Sequence, residues 1–236
     1  MPLITEDIPI TLDPEGLRKS LPLGRREHWE ELLPLVDKAQ RLIHPRVTFR
    51  PAYIDEKEEG AVRIEGLLFQ SRVLRKNLDQ VQRVFPYVIT LGPELEAEAR
   101  TSEDILHNYY LDIIGNMALS LARARFEKGL RKAYRLEGVS FMSPGSLQDW
   151  GLEEQGPLFS LLGDVYRAIG VRLTESFLML PRKSLSGLYF PTEIPFYSCQ
   201  LCPRKSCPGR RAPFDPEVAR AYDIPLAGTP EQDTET

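Results

Sequence analysis

Apolar side chains recur along this chain with two different periods, and the switches between them mark out its elements. Alternation or short apolar runs predict strands at 47–54, 61–65 and 84–90. The charged stretch Asp55-Glu56-Lys57-Glu58-Glu59-Gly60 between the first two reads as a solvated turn. Helical spacing begins between Arg26 and Ile43, where Trp29, Leu32, Leu33, Val36, Ala39 and Ile43 recur. Pro34 sits inside that pattern and predicts a kink or two short helices. Before it, residues 1–12 read as an extended arm, and Asp13-Pro14 opens a helix as N-cap and first residue. Residues 71–80 read as a short helix.

The longest element runs from Ser102, its predicted cap, to about Leu136. Tyr110, Ile113, Ile114, Met117, Leu121, Phe126 and Leu130 keep to one broad face. Gly115 in mid-helix costs about 1 kcal/mol relative to alanine, so close packing or a ligand is expected there. Gly138 marks the helix end. The loop 141–146 follows, then a second helical region at 153–169. Trp150 between them reads as a packing anchor, and His107 as an ordinary helix residue.

The last patterned stretch is 171–190. Val171–Leu180 is strand-length and apolar, Pro181-Arg182-Lys183 supplies a turn, and Ser184–Phe190 alternates small polar with apolar residues. The pattern predicts a β-hairpin in which Thr174, Glu175, Ser184 and Ser186 need hydrogen-bond partners if buried. Strands, one long helix and a terminal hairpin give an α+β class with a twisted, largely antiparallel sheet. Three segments are expected: a main domain over 1–198, a cysteine cluster at 199–211 and a proline- and acid-rich tail over 212–236 with a disordered end.

Composition changes this picture little. The 236 residues carry a net charge of −4, without the basic surface that nucleic acid demands. No apolar run approaches a membrane span, and the acidic start MPLITEDIPITLD lacks the features of a signal peptide, so a cytoplasmic setting is expected. No G-x-S-x-G elbow, Walker loop or G-x-G-x-x-G occurs. Three cysteines, all within 199–207, make a poor disulfide framework.

The 173–190 stretch resembles, nearly residue for residue, the reactivation (S-adenosylmethionine-binding) domain of cobalamin-dependent methionine synthase. Leu173, Thr174, Glu175, Ser176, Phe177, Met179, Pro181, Ser184, Ser186, Gly187, Tyr189 and Phe190 carry the resemblance. Pro144-Gly145, the phrase 157–162 and the element 110–118 fall in the family's order, extending it over roughly 80–198. The resemblance implies a curved α+β domain in which S-adenosylmethionine remethylates oxidised cobalamin with an electron from flavodoxin. Candidate groove residues are Asp112, Asn116, Ser143, Pro144, Gly145, Glu175, Ser186, Tyr189 and Tyr197. The family's tyrosine beyond the hairpin falls on Tyr197, and its helix glutamate falls at or near Asn116. Its loop arginine falls on Phe141 and its loop tyrosine on Ser146, and an N-terminal aspartate has no counterpart. Phenylalanine cannot replace a guanidinium's bidentate grip on a carboxylate.

Cys199, Cys202 and Cys207 stand as C-x2-C-x4-C, a departure from that family. They suit a 4Fe–4S cluster with one open iron, a zinc site needing a fourth ligand, or free thiols. Arg204, Lys205, Arg210 and Arg211 would favour a negative cluster. Three functions follow as expectations. One is an accessory protein that reactivates cobalamin on a separate corrinoid protein or methionine synthase subunit, holding no cobalamin itself. The others are an iron–sulfur reductive activator without S-adenosylmethionine, and a zinc-stapled adaptor.

Overall fold

In the computed structural model, which describes residues 1–20, 29–101, 103–204, 207 and 209–224, the sheet is organised around β6 (Arg83–Thr90). Seven of its eight residues are buried, as a nearly unbroken apolar run requires of a strand covered on both faces. One edge of β6 pairs with β10 (Ser184–Pro191), which pairs in turn with β7 (Val139–Met142). The other edge carries β2 (Arg46–Phe49) and β3 (Ala52–Glu58) end to end. Beyond them lie β1 (Ile4–Asp7) on β2, and β4 (Ala61–Ile64) and β5 (Leu67–Gln70) beside β3. Every pairing is antiparallel, and the α+β expectation holds.

Proline explains why the strand predicted at 47–54 is broken. Arg50 donates its N–H to the Pro86 carbonyl at 3.3 Å. A residue's N and O face the same neighbour in an antiparallel ladder, so the donor Pro86 lacks also faces this point. Pairing resumes at Ala52 opposite Val84. The acidic run is not a turn: Asp55–Glu58 belong to β3, and the chain reverses at Glu59-Gly60, where Gly60 has φ 72°. A second reversal at Glu65-Gly66 leads into β5, which the sequence pattern did not disclose.

Against one face of β6, the side chains of Phe85, Tyr87 and Ile89 meet α1 (Pro14–Ser20), α2 (Trp29–Leu42), α4 (Glu94–Thr101) and α5 (Ile105–Tyr134). On the opposite face, Val84 and Val88 meet α3 (Arg72–Asn77), α6 (Gln155–Leu162), α7 (Val165–Ile169) and α8 (Pro216–Ala221). Helix α2 passes through Pro34 unbroken, forfeiting one hydrogen bond. The cap of α5 is Asp104, which accepts from Leu106 and His107 N–H at 2.8 and 3.1 Å; Ser102 lies outside the described residues. The buried face of α5 includes Tyr110, Leu111, Ile114, Ala118, Ala122, Phe126 and Leu130, whereas Leu121 is 42% exposed. Close packing accounts for Gly115, since a Cβ there would stand 3.0 Å from Leu95 and from Lys183. The helix ends at left-handed Arg135, not Gly138. Gly138 has another reason to be glycine: a Cβ would lie 2.3 Å from the Thr192 carbonyl. The predicted helical region 153–169 is two helices, α6 and α7, parted at Gly163 (φ 93°).

The predicted hairpin at 171–190 is replaced by two separate devices. The first run folds back on itself, so that β8 (Arg172–Leu173) pairs with β9 (Met179–Leu180). Thr174 Oγ1 accepts from Leu178 N at 3.1 Å, Phe177 takes φ 60°, and Glu175 stands exposed at the tip. The second run is β10, paired to β6 and β7 rather than to the first. Its polar residues are satisfied: Ser184 Oγ donates to the Pro181 carbonyl at 2.7 Å, and Ser186 Oγ to Gln155 Oε1 at 2.7 Å. Glycine is required at 187, where a Cβ would lie 2.3 Å from the Met142 carbonyl of β7. Gly187→Ala is therefore expected to cost about 1–3 kcal/mol by overpacking against backbone. A lowered urea midpoint with an unchanged slope is the expected result, and an unshifted midpoint refutes it.

Described residues between Leu201 and Ile224 also pack on this core. Leu201, Phe214, Val218, Ala219 and Tyr222 join the cluster on the second face, and Tyr222 Oη donates to Asn77 Oδ1 at 3.0 Å. The expectation for 225–236 lies outside the described residues. No helix among the described residues is long and apolar enough to cross a membrane.

Candidate functional site

Period-two alternation decides which side chains can meet. On β10 it sends Tyr189 toward α5 and Ser186 to the opposite face, against Gln155 of α6. Tyr87 of β6 and Phe141 of β7 also face α5, and their rings lie 4.8 and 5.3 Å from that of Tyr189. Helix α5 answers with Arg123 and Glu127, one turn apart and paired at 3.0 Å. Tyr189 Oη donates to Glu127 Oε2 at 3.1 Å and accepts from Arg123 Nη1 at 3.3 Å. The Arg123 guanidinium also lies 4.6 Å from the Phe141 ring centre. A second guanidinium, that of Arg211, lies 4.4 Å from the Phe141 ring and 4.8 Å from the Tyr197 ring.

Two cations, one carboxylate and four aromatic rings thus share a partly buried patch. Burial opposes the charge on Arg123, but Tyr189, Tyr87 and Glu127 more than offset it and raise its pKa. Arg211 is shifted down, first by burial and then by the charge of Arg123. Burial pushes the Tyr87 hydroxyl up to about 12 and the Tyr189 hydroxyl well above its ordinary value. The Tyr87 oxygen is fully buried and makes no hydrogen bond; Ser143 lies close to it without hydrogen-bond geometry. A buried hydroxyl without a partner costs about 1–3 kcal/mol, so this oxygen invites a ligand or a water.

The loop after β7 brings Ser143 beside this patch, close to Tyr87, and sets Gly145 against Leu152. Gly145 takes φ 79° and donates to the Trp150 carbonyl at 2.8 Å, while Ser146 Oγ donates to the Ser143 carbonyl at 2.6 Å. Tyr197 enters a short 3-10 turn at Ser198–Leu201. The structure thus brings Ser143, Tyr189 and Tyr197 together. Asp112 and Asn116 lie elsewhere, both bound by Lys183 Nζ, at 2.6 and 2.7 Å. Asp112 also lines a separate cavity of about 250 Å³ with Leu95, Glu96 and Arg100. At 1.5 Å per helical residue, Asp112 is about 16 Å along the axis from Arg123. Glu175 and Ser186 are away from the patch as well. Sequence reasoning missed Tyr87, Arg123, Glu127 and Arg211. The one local signal was the Arg123–Glu127 pair on a helix otherwise packed against the sheet.

Cys199, Cys202 and Cys207 are free and half-buried. Their segment is held by Arg210, which donates to the carbonyls of Cys199 at 3.1 Å, Cys202 at 3.3 Å and Ala212 at 3.2 Å, and to that of Arg204. Arg211 N–H points at Cys199 Sγ, 3.4 Å away. Among the described residues, no three metal-ligating side chains converge.

Residues 145–204 match the family model described as "Vitamin B12 dependent methionine synthase, activation domain". Among solved structures, the chain is similar to one described as "Crystal Structure of the MetH Reactivation Domain bound to AdoHcy". The identity is 15%, the TM-score is 0.61, and the match covers 84% of this chain and 81% of the other. No curated protein matches the sequence. In sequence over residues 145–204, and in fold over most of its length, the chain is therefore similar to the activation domain of vitamin B12-dependent methionine synthase.

Proposed function

We propose that this protein binds S-adenosylmethionine in the patch beside α5 and, docked on a separate corrinoid-binding protein, uses it to return the partner's cobalt to its methylated state. The observation that carries this reading is a convergence. Tyr189 and Tyr197, both in the family-matched segment, meet Arg123, Glu127 and Arg211 within the fold of a domain solved with AdoHcy. The donor set fits the methyl donor chemically. Guanidinium suits its carboxylate, and Glu127 its ammonium. Within this patch, the Tyr87 hydroxyl is a buried oxygen without a hydrogen-bond partner among the described residues. On this reading Glu127, not Asn116, is the carboxylate that α5 contributes.

The corrinoid, carried by the partner, would supply the acceptor: its cobalt, reduced by one electron from an external donor, would provide the electron pair of the new bond to the methyl carbon. The carbon–sulfur bond breaks, its electron pair stays on sulfur, and the neutral thioether S-adenosylhomocysteine leaves. This chain's residues bind and orient the donor. The partner belongs to a methionine synthase or another corrinoid methyltransferase, in a cytoplasmic setting, with no role for nucleic acid or membrane. Anaerobic calorimetric titration is expected to show saturable 1:1 binding of S-adenosylmethionine and S-adenosylhomocysteine. No heat with either ligand overturns the reading.

The free thiols support a second reading, since all three lie on a segment that meets the patch through Arg211. Here the segment holds an iron–sulfur cluster that delivers the electron. Several irons with acid-labile sulfide in protein purified without oxygen would establish it. One zinc would instead mark a structural staple, and metal-free protein would eliminate both.

A further inference from the structure

Arg211 lies beyond the family-matched residues 145–204, and the reactivation reading assigns it no individual role. Its position is nevertheless unusual for a surface arginine. Its guanidinium rests against two aromatic rings, Phe141 and Tyr197. A stacked guanidinium keeps its in-plane N–H donors free, which is the arrangement that grips a carboxylate with two parallel hydrogen bonds. Among the described residues, no carboxylate lies within ion-pair distance of Arg211, whereas neighbouring Arg123 has Glu127 at 3.0 Å. Arg123 and Arg211 both lie against Phe141, and Glu127 pairs with Arg123, so the patch keeps one net positive charge, carried by the exposed guanidinium of Arg211. The unpartnered, fully buried Tyr87 hydroxyl belongs to the same cluster and points independently to a ligand.

We infer that Arg211 is the residue that grips the carboxylate of the ligand, so that the described residues of the cysteine-bearing segment complete a site otherwise built from β6, β7, β10 and α5. The identity of the ligand rests on the proposed reactivation function; the carboxylate subsite does not. The segment is well suited to the task. Arg210 ties three of its carbonyls to that of Ala212, and the Arg211 N–H donates to Cys199 Sγ, which together fix the position of residue 211. Phe141, which brings no charge of its own, acts as the platform on which this later arginine lies.

Two ligands and two variants test the inference on the full chain. Wild type is expected to bind S-adenosylmethionine about 10- to 100-fold more tightly than its decarboxylated analogue, the range for losing charge-assisted hydrogen bonds. Arg211→Ala is expected to lose a similar factor for S-adenosylmethionine and to bind both ligands alike. Arg211→Lys, which keeps the charge without the fork, falls between them. Equal losses for both ligands, or none, overturn the inference while leaving the reactivation reading intact. Should wild type bind neither ligand, the reading fails, and the subsite is judged by acetate against a chloride control. The arginine Nε–H resonance that disappears in Arg211→Lys is then followed by 15N NMR. Its saturable shift with acetate alone supports the subsite, and its absence overturns it.

Discussion

Trp150→Ala is expected to lower folding stability by about 3–5 kcal/mol, the usual cost of deleting a fully buried large aromatic. Trp150 is 0% exposed and packs among Val73, Leu158 and Phe190 in the core of the second sheet face. Its surroundings cannot collapse into the vacated space, because they are tied in place by polar bonds. Asp149 Oδ2 accepts from Ser71 Oγ at 2.5 Å and Val73 N at 3.0 Å, pinning the loop to the start of α3. The indole Nε1–H donates to Glu154 Oε2 at 3.3 Å, and burial already raises the pKa of that carboxyl. Removing the donor leaves Glu154 with the Gln70 N–H at 3.1 Å. Urea denaturation is the measurement, with Trp150→Phe as the intermediate variant that keeps one aromatic ring and loses the N–H together with the rest of the indole. A cost for alanine below about 1 kcal/mol would show that the site relaxes and that the anchor is dispensable.

Much of this fold was legible where one period ran long enough to dominate. The run 84–90 and the long helix announced themselves, and the alternation of Ser184, Ser186 and Leu188 against Leu185 and Tyr189 gave β10 its two faces correctly. The stretch 171–180 misled because apolar content suits a strand, while its reversal depends on a threonine hydroxyl and on Phe177 at positive φ. No pattern of hydrophobicity records a left-handed phenylalanine. The helix carboxylate was placed by chain order at Asn116, whereas the structure puts Glu127 in the patch. Eleven residues are about three turns, so the two positions share a helix face and the sequence alone could not separate them. Arg211 was hidden for a different reason: its aromatic platform, Phe141, lies far away in the chain, and no local motif links them. Non-local stacking of this kind becomes visible only after the strands have chosen their neighbours.

Those neighbours also make the protein sensitive to alkali, and one hydroxyl accounts for much of the expected effect. The Tyr87 pKa is about 12 in the folded chain, through burial, and about 10 when unfolded. Below pH 10 both states hold the proton, and the stability is fully present. Between pH 10 and 12 the unfolded state has released the proton while the folded state retains it. The unfolded state then binds fewer protons, so stability falls as pH rises and is lost through the folded pKa. Two pH units correspond to about 3 kcal/mol. Tyr189 adds to the loss in the same direction.

Tyr87→Phe removes that share of the loss and, because the hydroxyl has no partner, is expected to stabilise the protein by about 1 kcal/mol at neutral pH. Urea midpoints at neutral pH and at pH 11 should therefore show the variant's advantage widening with pH. Parallel profiles would mean that the Tyr87 hydroxyl titrates as an exposed one does. The same variant also probes the site. If the hydroxyl meets a polar atom of bound S-adenosylmethionine, Tyr87→Phe weakens the ligand while strengthening the fold. Opposite signs in stability and affinity are what a residue retained for binding, against its cost to folding, should show.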